Sequence, residues 1–67
     1  MEAHEVWELI VKADEALKYA TEERAEVRRQ QVEGLLRRAL TEARMLKNDN
    51  LIEQVQTRLE DLGIRDA

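Results

Sequence analysis

The sequence predicts an all-α fold, and three observations lead to that prediction. It contains no proline and only two glycines, Gly34 and Gly63, so little in it interrupts a helix. Charged residues make up 39% and apolar residues 43% of the chain, a balance typical of long helices rather than of disordered acidic tails. The alternation of β-branched residues that marks strands is absent. With 67 residues, the chain is predicted to form a single helical domain over residues 1–67 without a linker.

The first predicted helix spans about residues 3–19. At about 100° per residue, its apolar side chains gather into one stripe with the character of a core face: Val6, Leu9, Ile10, Ala13, Ala16, Leu17 and Ala20. Thr21 is a candidate N-cap for the next helix, because the acidic Glu22 and Glu23 that follow it favour a first turn. The same pattern recurs at Thr41-Glu42 inside a helical stretch, so one continuous rod over residues 3–46 is the alternative.

The second and third predicted helices span about residues 22–46 and 51–62. Between them, three short polar side chains, Asn48 to Asn50, favour a turn and a helix cap. Asn50 and Glu53 have the spacing of a capping box, and Asp49 is the alternative cap. At the far end, Gly63 follows Leu62 where a left-handed residue is expected, with Ile64 placed to contact Leu59.

The charge distribution supports three packed elements. Residues 1–23 carry seven acidic and two basic side chains, residues 24–47 three and seven, and residues 48–67 five and two. Such alternation favours one pairing of antiparallel neighbours. We therefore predict a small antiparallel bundle of three helices, or a long helix plus a short one in a hairpin. The core stripes of the later helices are Val32, Leu35, Leu36, Ala39, Leu40, Ala43 and Leu46, then Leu51, Ile52, Val55, Leu59 and Leu62.

Composition argues against several classes of function. Without cysteine there is no disulfide framework, thiolate zinc site or cysteine nucleophile, and without serine or a glycine-rich phosphate loop catalysis has little basis. His4 and Glu8 have the spacing of a metal pair but lack a third ligand. We expect no enzyme, cofactor, metal site or small-molecule substrate. The absence of a long apolar run favours a cytoplasmic protein that does not enter the membrane.

A second apolar surface lies beside the core stripe of the first helix. Trp7 and Val11 are one turn apart, on a shoulder shared with His4, and they widen the apolar surface beyond a single contact. One interpretation is a partner interface anchored by Trp7 and including Val11, His4 and the adjoining Leu9 and Ile10. The other is that Trp7 overhangs the edge of its own core.

Two arginine pairs, Arg28-Arg29 and Arg37-Arg38, raise the question of nucleic-acid binding. Nine residues separate them, so on one straight helix they point to opposite sides instead of forming a basic strip. Nucleic acid is therefore not an expected partner. The stretch around the first pair is poor in apolar residues, and it forms either a solvent-exposed connection or a polar layer within an interface.

Residues 38–63 resemble two known helical hairpins. Ala39-Leu40, Ala43-Arg44, Asn48-Asp49, Leu59 and Leu62-Gly63 are similar to the junction between two tetratricopeptide helices. This resemblance implies a helical hairpin in which small residues let the helices approach and an Asn or Asp closes the turn. Ala43-Arg44, Lys47-Asn48 and Leu62-Gly63-Ile64 also resemble the terminal helical hairpin of cysteinyl-tRNA synthetases, which implies a contribution to holding tRNA. Neither resemblance reaches residues 1–31.

These observations predict a non-catalytic protein-protein interaction or scaffold module. A small helical chain has little stability to spare, and its first helix exposes more apolar surface than one face needs. Self-association, most simply as a symmetric homodimer, or docking on a larger protein would cover that surface. The alternatives are a small acidic inhibitory or regulatory protein of phage type that covers a basic site on its target, and an RNA-associated accessory hairpin.

Overall fold

The computed structural model describes residues 1–63 and confirms the all-α prediction. Within these residues it contains three α-helices: α1 (Ala3–Lys18), α2 (Ala25–Met45) and α3 (Asp49–Asp61). A 3-10 turn, Glu22–Arg24, precedes α2. The predicted break between the first two helices is confirmed, and the alternative of a single rod over residues 3–46 is wrong. Ile64 and its expected contact with Leu59 lie outside the described residues.

Helix α2 lies at the centre of the bundle and packs against both other helices. The amino group of Met1 lies 3.9 Å from the Glu42 carboxylate, which places the start of α1 beside the end of α2. At the other end of α2, the Arg29 guanidinium donates a hydrogen bond of 2.7 Å to the Leu62 carbonyl oxygen just after α3. Helix α2 therefore runs antiparallel to both α1 and α3, and α1 and α3 are parallel to each other.

Within residues 1–63, the core consists of apolar side chains only. Every buried residue of the described chain falls on one of the three predicted stripes, because helical periodicity and burial report the same geometry. The buried residues are Val6, Leu9, Ile10, Ala13, Val32, Leu36, Ala39, Leu40, Ala43, Leu51, Val55 and Leu59. No buried polar or charged residue is found among residues 1–63.

The stripes fail at the helix ends. Leu17 and Leu46 were expected in the core but are exposed, because each lies at the end of its helix. Four other stripe residues pack at the margin of the core and are only partly buried: Ala16, Leu35, Ile52 and Leu62. Ala20, which lies beyond the end of α1, is also partly buried.

Helix α1 begins with a glutamate cap. The backbone N–H of Glu2 donates to the Glu5 side chain at 3.0 Å, which satisfies a donor that the first helical turn leaves without a partner. At the next break, Thr21 adopts an extended conformation with ψ of 161°, which ends helical geometry. Its side chain makes no capping bond, so Thr21 separates the helices through its backbone rather than through the predicted hydroxyl cap.

The predicted N-cap of α3 is wrong. Asn48, not Asn50 or Asp49, is the N-cap: its side-chain oxygen accepts a 3.2 Å bond from the Leu51 N–H, and α3 begins two residues before the predicted start. Lys47 before it adopts a left-handed conformation with φ of 54°. The N–H of Asn48 donates to the Ala43 carbonyl at 3.1 Å, closing a Schellman motif that places Asn48 at the cap position.

The far end of α3 is as predicted. Gly63 has φ of 77°, a left-handed conformation, and its N–H donates to the Glu60 carbonyl oxygen at 2.8 Å. A glycine is favoured here because a Cβ atom strains this backbone conformation.

Gly34, by contrast, is a stability test within α2. It is exposed, and a Cβ added there would meet no atom within 4 Å. Gly34→Ala is expected to stabilise the fold by about 0.5–1 kcal/mol, because alanine loses less backbone entropy in a helix. Urea denaturation followed by circular dichroism measures the change. Gly63→Ala is the matched control and should destabilise, and a loss of stability in Gly34→Ala would contradict the prediction.

Candidate protein-interaction surface

The structure exposes part of the predicted partner interface. Trp7 and Val11 lie on the side of α1, with 45% and 37% of their surface accessible, and His4 is exposed one turn before Trp7. We call Trp7, Val11 and His4 the Trp7 shoulder. Trp7 and Val11 are one turn apart on a single helix, so their accessible apolar surfaces lie on the same side of α1.

Leu9 and Ile10 do not belong to this surface. Both were predicted to join the partner interface, but both are buried in the chain's own core with 8% and 0% accessibility. They lie on the α1 face that packs within the bundle. Only the Trp7 shoulder is accessible without unfolding, so the predicted interface is smaller than expected.

Arg58 of α3 reaches across to α1 and forms the best-defined polar contact of the bundle. Its Nε donates to both Asp14 carboxylate oxygens at 3.0 and 3.2 Å, and its second terminal nitrogen donates at 3.1 Å. The remaining terminal nitrogen donates to the backbone carbonyl and side-chain oxygen of Gln54, both at 3.0 Å. A bidentate pair of this kind fixes orientation as well as attracting the two charges.

The same guanidinium lies over Trp7. Its central carbon is 5.8 Å from the centroid of the Trp7 ring, within the range of a cation–π contact. The indole is therefore neither a loose overhang nor a fully buried core residue. Arg58 supports one part of the ring while nearly half of the side chain stays accessible. The result is an aromatic side chain held in place at the surface, which we call the Trp7–Arg58–Asp14 cluster.

The Trp7–Arg58–Asp14 cluster was not predicted from the sequence. Asp14 follows Trp7 by seven residues and so lies on the same face of α1, and Arg58 is the one basic residue within α3. These two facts are the signals that the sequence offers for the cluster. They do not predict the contact between Arg58 and Asp14, because these residues are 44 positions apart and their contact depends on how α1 and α3 are rotated relative to each other.

Three of the four paired arginines bind groups within the chain. Arg28 donates to the Gln31 side chain at 3.2 Å, and Arg37 to the Glu33 carboxylate at 2.9 Å. Arg29, as described above, donates to the carbonyl of Leu62. The first residues of α2 are mostly exposed, which agrees with a solvent-exposed connection rather than a polar layer within an interface. The Arg29 hydrogen bond also joins this stretch to the end of α3.

His4 pairs with a different carboxylate from the one considered in the sequence. Its Nδ1 lies 3.3 Å from Glu2, whereas Glu8 was the predicted neighbour. Glu2, His4 and Glu5 offer ligand atoms within 4.8 Å of one another, and all three are exposed. Glu5 already caps α1 through the bond to the Glu2 N–H, so this group is explained by the helix terminus.

None of the helices within residues 1–63 combines the length and apolar character that crossing a bilayer requires. Comparison with protein-family models, curated proteins and solved structures finds no match.

Proposed function

We propose that this chain is a non-catalytic protein-interaction module that self-associates through the Trp7 shoulder. The observation that carries the proposal is the state of Trp7, which is 45% accessible and yet held by Arg58. Tryptophan, tyrosine and arginine are the residues most enriched among those that dominate binding energy at protein interfaces. A side chain that is already ordered loses little further entropy on binding, so the cluster favours association.

The placement of polar groups supports a non-catalytic role. Catalysis favours titratable or nucleophilic groups in a protected site, and among residues 1–63 no polar or charged residue is buried. Two of the hydroxyl groups, those of Thr41 and Thr57, donate to backbone carbonyls one turn earlier in their own helices. The lack of cysteine suits a reducing compartment, so the proposal places the module in the cytoplasm.

A second copy of the chain is the simplest partner. His4, Trp7 and Val11 follow the three-and-four spacing of a coiled-coil seam, which two copies of α1 could share around a two-fold axis. Such a contact buries the same patch on both chains at once. It also adds stability to a bundle whose core is small.

The RNA alternative receives less support from the arginines. Arg28, Arg29 and Arg37 donate hydrogen bonds to acceptors of the same chain, and Arg58 pairs with Asp14. A groove that tracks phosphates needs clustered cations that are available to the ligand.

Sedimentation velocity over a concentration series tests the proposed function. The wild-type chain should form a dimer of about twice 7.9 kDa. Trp7→Ala should raise the dissociation constant of this dimer at least about tenfold and so favour the monomer. Val11→Lys should act in the same direction without removing the indole that Arg58 contacts. Far-UV circular dichroism verifies that each variant is helical.

The matched control is Tyr19→Ala. Tyr19 is also aromatic and is 69% accessible, but it lies beyond the end of α1, away from the shoulder. Its loss should leave association unchanged. A folded wild-type chain that is monomeric at every concentration, or equal weakening by Tyr19→Ala, would contradict the proposal.

A further inference from the structure

We propose that α3 exchanges between two copies of this chain, with α2 and α3 of each copy joining into one continuous helix. The partner is thus a second copy, and each copy supplies α3 to the bundle of the other. Three observations carry this inference: the conformation of the α2–α3 turn at residues 46–48, the sequence through that turn, and the contacts that α3 makes.

The turn contains a lysine where glycine is favoured. Lys47 has φ of 54° and is the only non-glycine residue with positive φ among residues 1–63. It occupies the left-handed position of the Schellman motif, with its N–H donating to the Arg44 carbonyl at 3.0 Å. A residue with a Cβ atom is strained in this conformation, and a helical conformation at Lys47 relieves the strain.

The sequence permits the continuous helix. Residues 35–62 contain neither proline nor glycine, so no residue there forbids helix through the turn. Joining α2 to α3 gives one rod over residues 25–61, about 55 Å long at 1.5 Å per residue. Helical hydrogen bonds replace those of the Schellman motif, and the strain at Lys47 is released.

The interface for the exchanged helix already exists within the chain. Leu51, Val55 and Leu59 of α3 are buried in the core. Because α2 and α3 are antiparallel, two rods that cross at the turn bring α2 of one copy against α3 of the other with the same contacts. Arg58 of one copy then pairs with Asp14 of the other, and the Trp7–Arg58–Asp14 cluster is completed by the partner.

Closed and exchanged forms share these contacts, so the turn determines the balance between them. Lys47→Gly removes the strain of the closed turn and makes a helical conformation at residue 47 less favourable. The equilibrium should therefore shift toward the closed turn by roughly 5- to 30-fold for each chain. A dimer contains two turns, so its formation constant should fall on the order of a hundredfold or more. Asn48→Ala removes the cap of α3 and should act in the opposite direction, by roughly 25-fold for the dimer.

The experiment refolds wild type, Lys47→Gly and Asn48→Ala from denaturant at millimolar concentration. Light scattering after size exclusion then gives the dimer fraction. We expect the order Asn48→Ala, wild type, Lys47→Gly, from most to least dimer. In a mixture of isotope-labelled and unlabelled chains, nuclear Overhauser effects between the Trp7 ring of one copy and the Arg58 methylenes of another should identify the exchanged form.

The exchange is independent of the proposed function, and adding Trp7→Ala to the refolded set separates the two. A dimer held by the Trp7 shoulder keeps its Trp7–Arg58 signals within one chain and is lost in Trp7→Ala, whereas the exchanged dimer persists in that variant and is lost in Lys47→Gly. Equal dimer fractions in Lys47→Gly and Asn48→Ala would overturn the exchange. So would a dimer whose Trp7–Arg58 signals are all within one chain, or the absence of any dimer in Asn48→Ala.

Discussion

Leu36→Ala is expected to leave the chain largely unfolded at room temperature. Leu36 is fully buried in α2, the central helix of the bundle. Truncating a buried leucine costs about 2–5 kcal/mol, because transfer energy is lost and a cavity is left. A single core in a chain of this size supplies only about 3–5 kcal/mol in total. The substitution therefore removes most or all of the stability.

Chemical denaturation followed by circular dichroism at 222 nm measures this loss. The control is Leu46→Ala, which makes the same chemical change at an exposed position after the end of α2. It should cost less than about 1 kcal/mol, since little buried surface is lost. Equal unfolding midpoints for the two variants would contradict the assigned core. If the chain self-associates as proposed, both midpoints will rise with protein concentration.

Helical periodicity predicted the core because burial repeats with the helix. Positions such as Val32 and Leu36 lie four residues apart, and the face that contains them is set by the sequence alone. Leu17 and Leu46 follow the same period but are exposed. Their exposure depends on where each helix ends relative to its neighbours, and periodicity carries no information about that.

The turn between α2 and α3 was located by sequence but its cap was not. Asn48, Asp49 and Asn50 are all good N-cap residues, so their chemistry alone does not choose among them. The choice is made by Lys47, whose left-handed conformation ends α2 and places Asn48 at the start of α3. A lysine gives no sequence signal for that conformation, which glycine normally adopts.

The charge pattern predicted antiparallel neighbours but not the strongest pair. The Arg58–Asp14 contact joins α1 and α3, which lie in the two segments of net negative charge. Segment charges describe the average field between elements. The bidentate contact depends on one cation and one carboxylate meeting at 3.0 Å, which only the packed bundle determines. The sequence therefore predicted Trp7 as part of the candidate site, but it did not predict that Arg58 and Asp14 hold Trp7 in place.

Arg58→Ala is expected to destabilise the bundle more than Arg37→Ala. It removes the bidentate pair with Asp14 and the contact over Trp7, and it leaves Asp14 without this cation. Because the Arg58 and Asp14 side chains are 23% and 47% accessible, solvent screens the pair, and we expect a loss of about 1–2 kcal/mol. Arg58→Lys keeps the charge but not the planar fork, so it should recover less than half of the loss.

A double-mutant cycle of Arg58→Ala with Asp14→Ala isolates the energy of the pair. The control is Arg37→Ala, whose 2.9 Å contact with Glu33 lies within one helix and should be worth about 0.3–0.5 kcal/mol. Raising the salt concentration should reduce the coupling energy of Arg58 and Asp14 only in part, because the contact is partly buried and therefore partly protected from salt ions. Trp7 fluorescence reports the same event, since removing Arg58 exposes the indole to quenchers. Equal losses in Arg58→Ala and Arg37→Ala, with unchanged quenching, would show that the cluster does not hold α3 to α1.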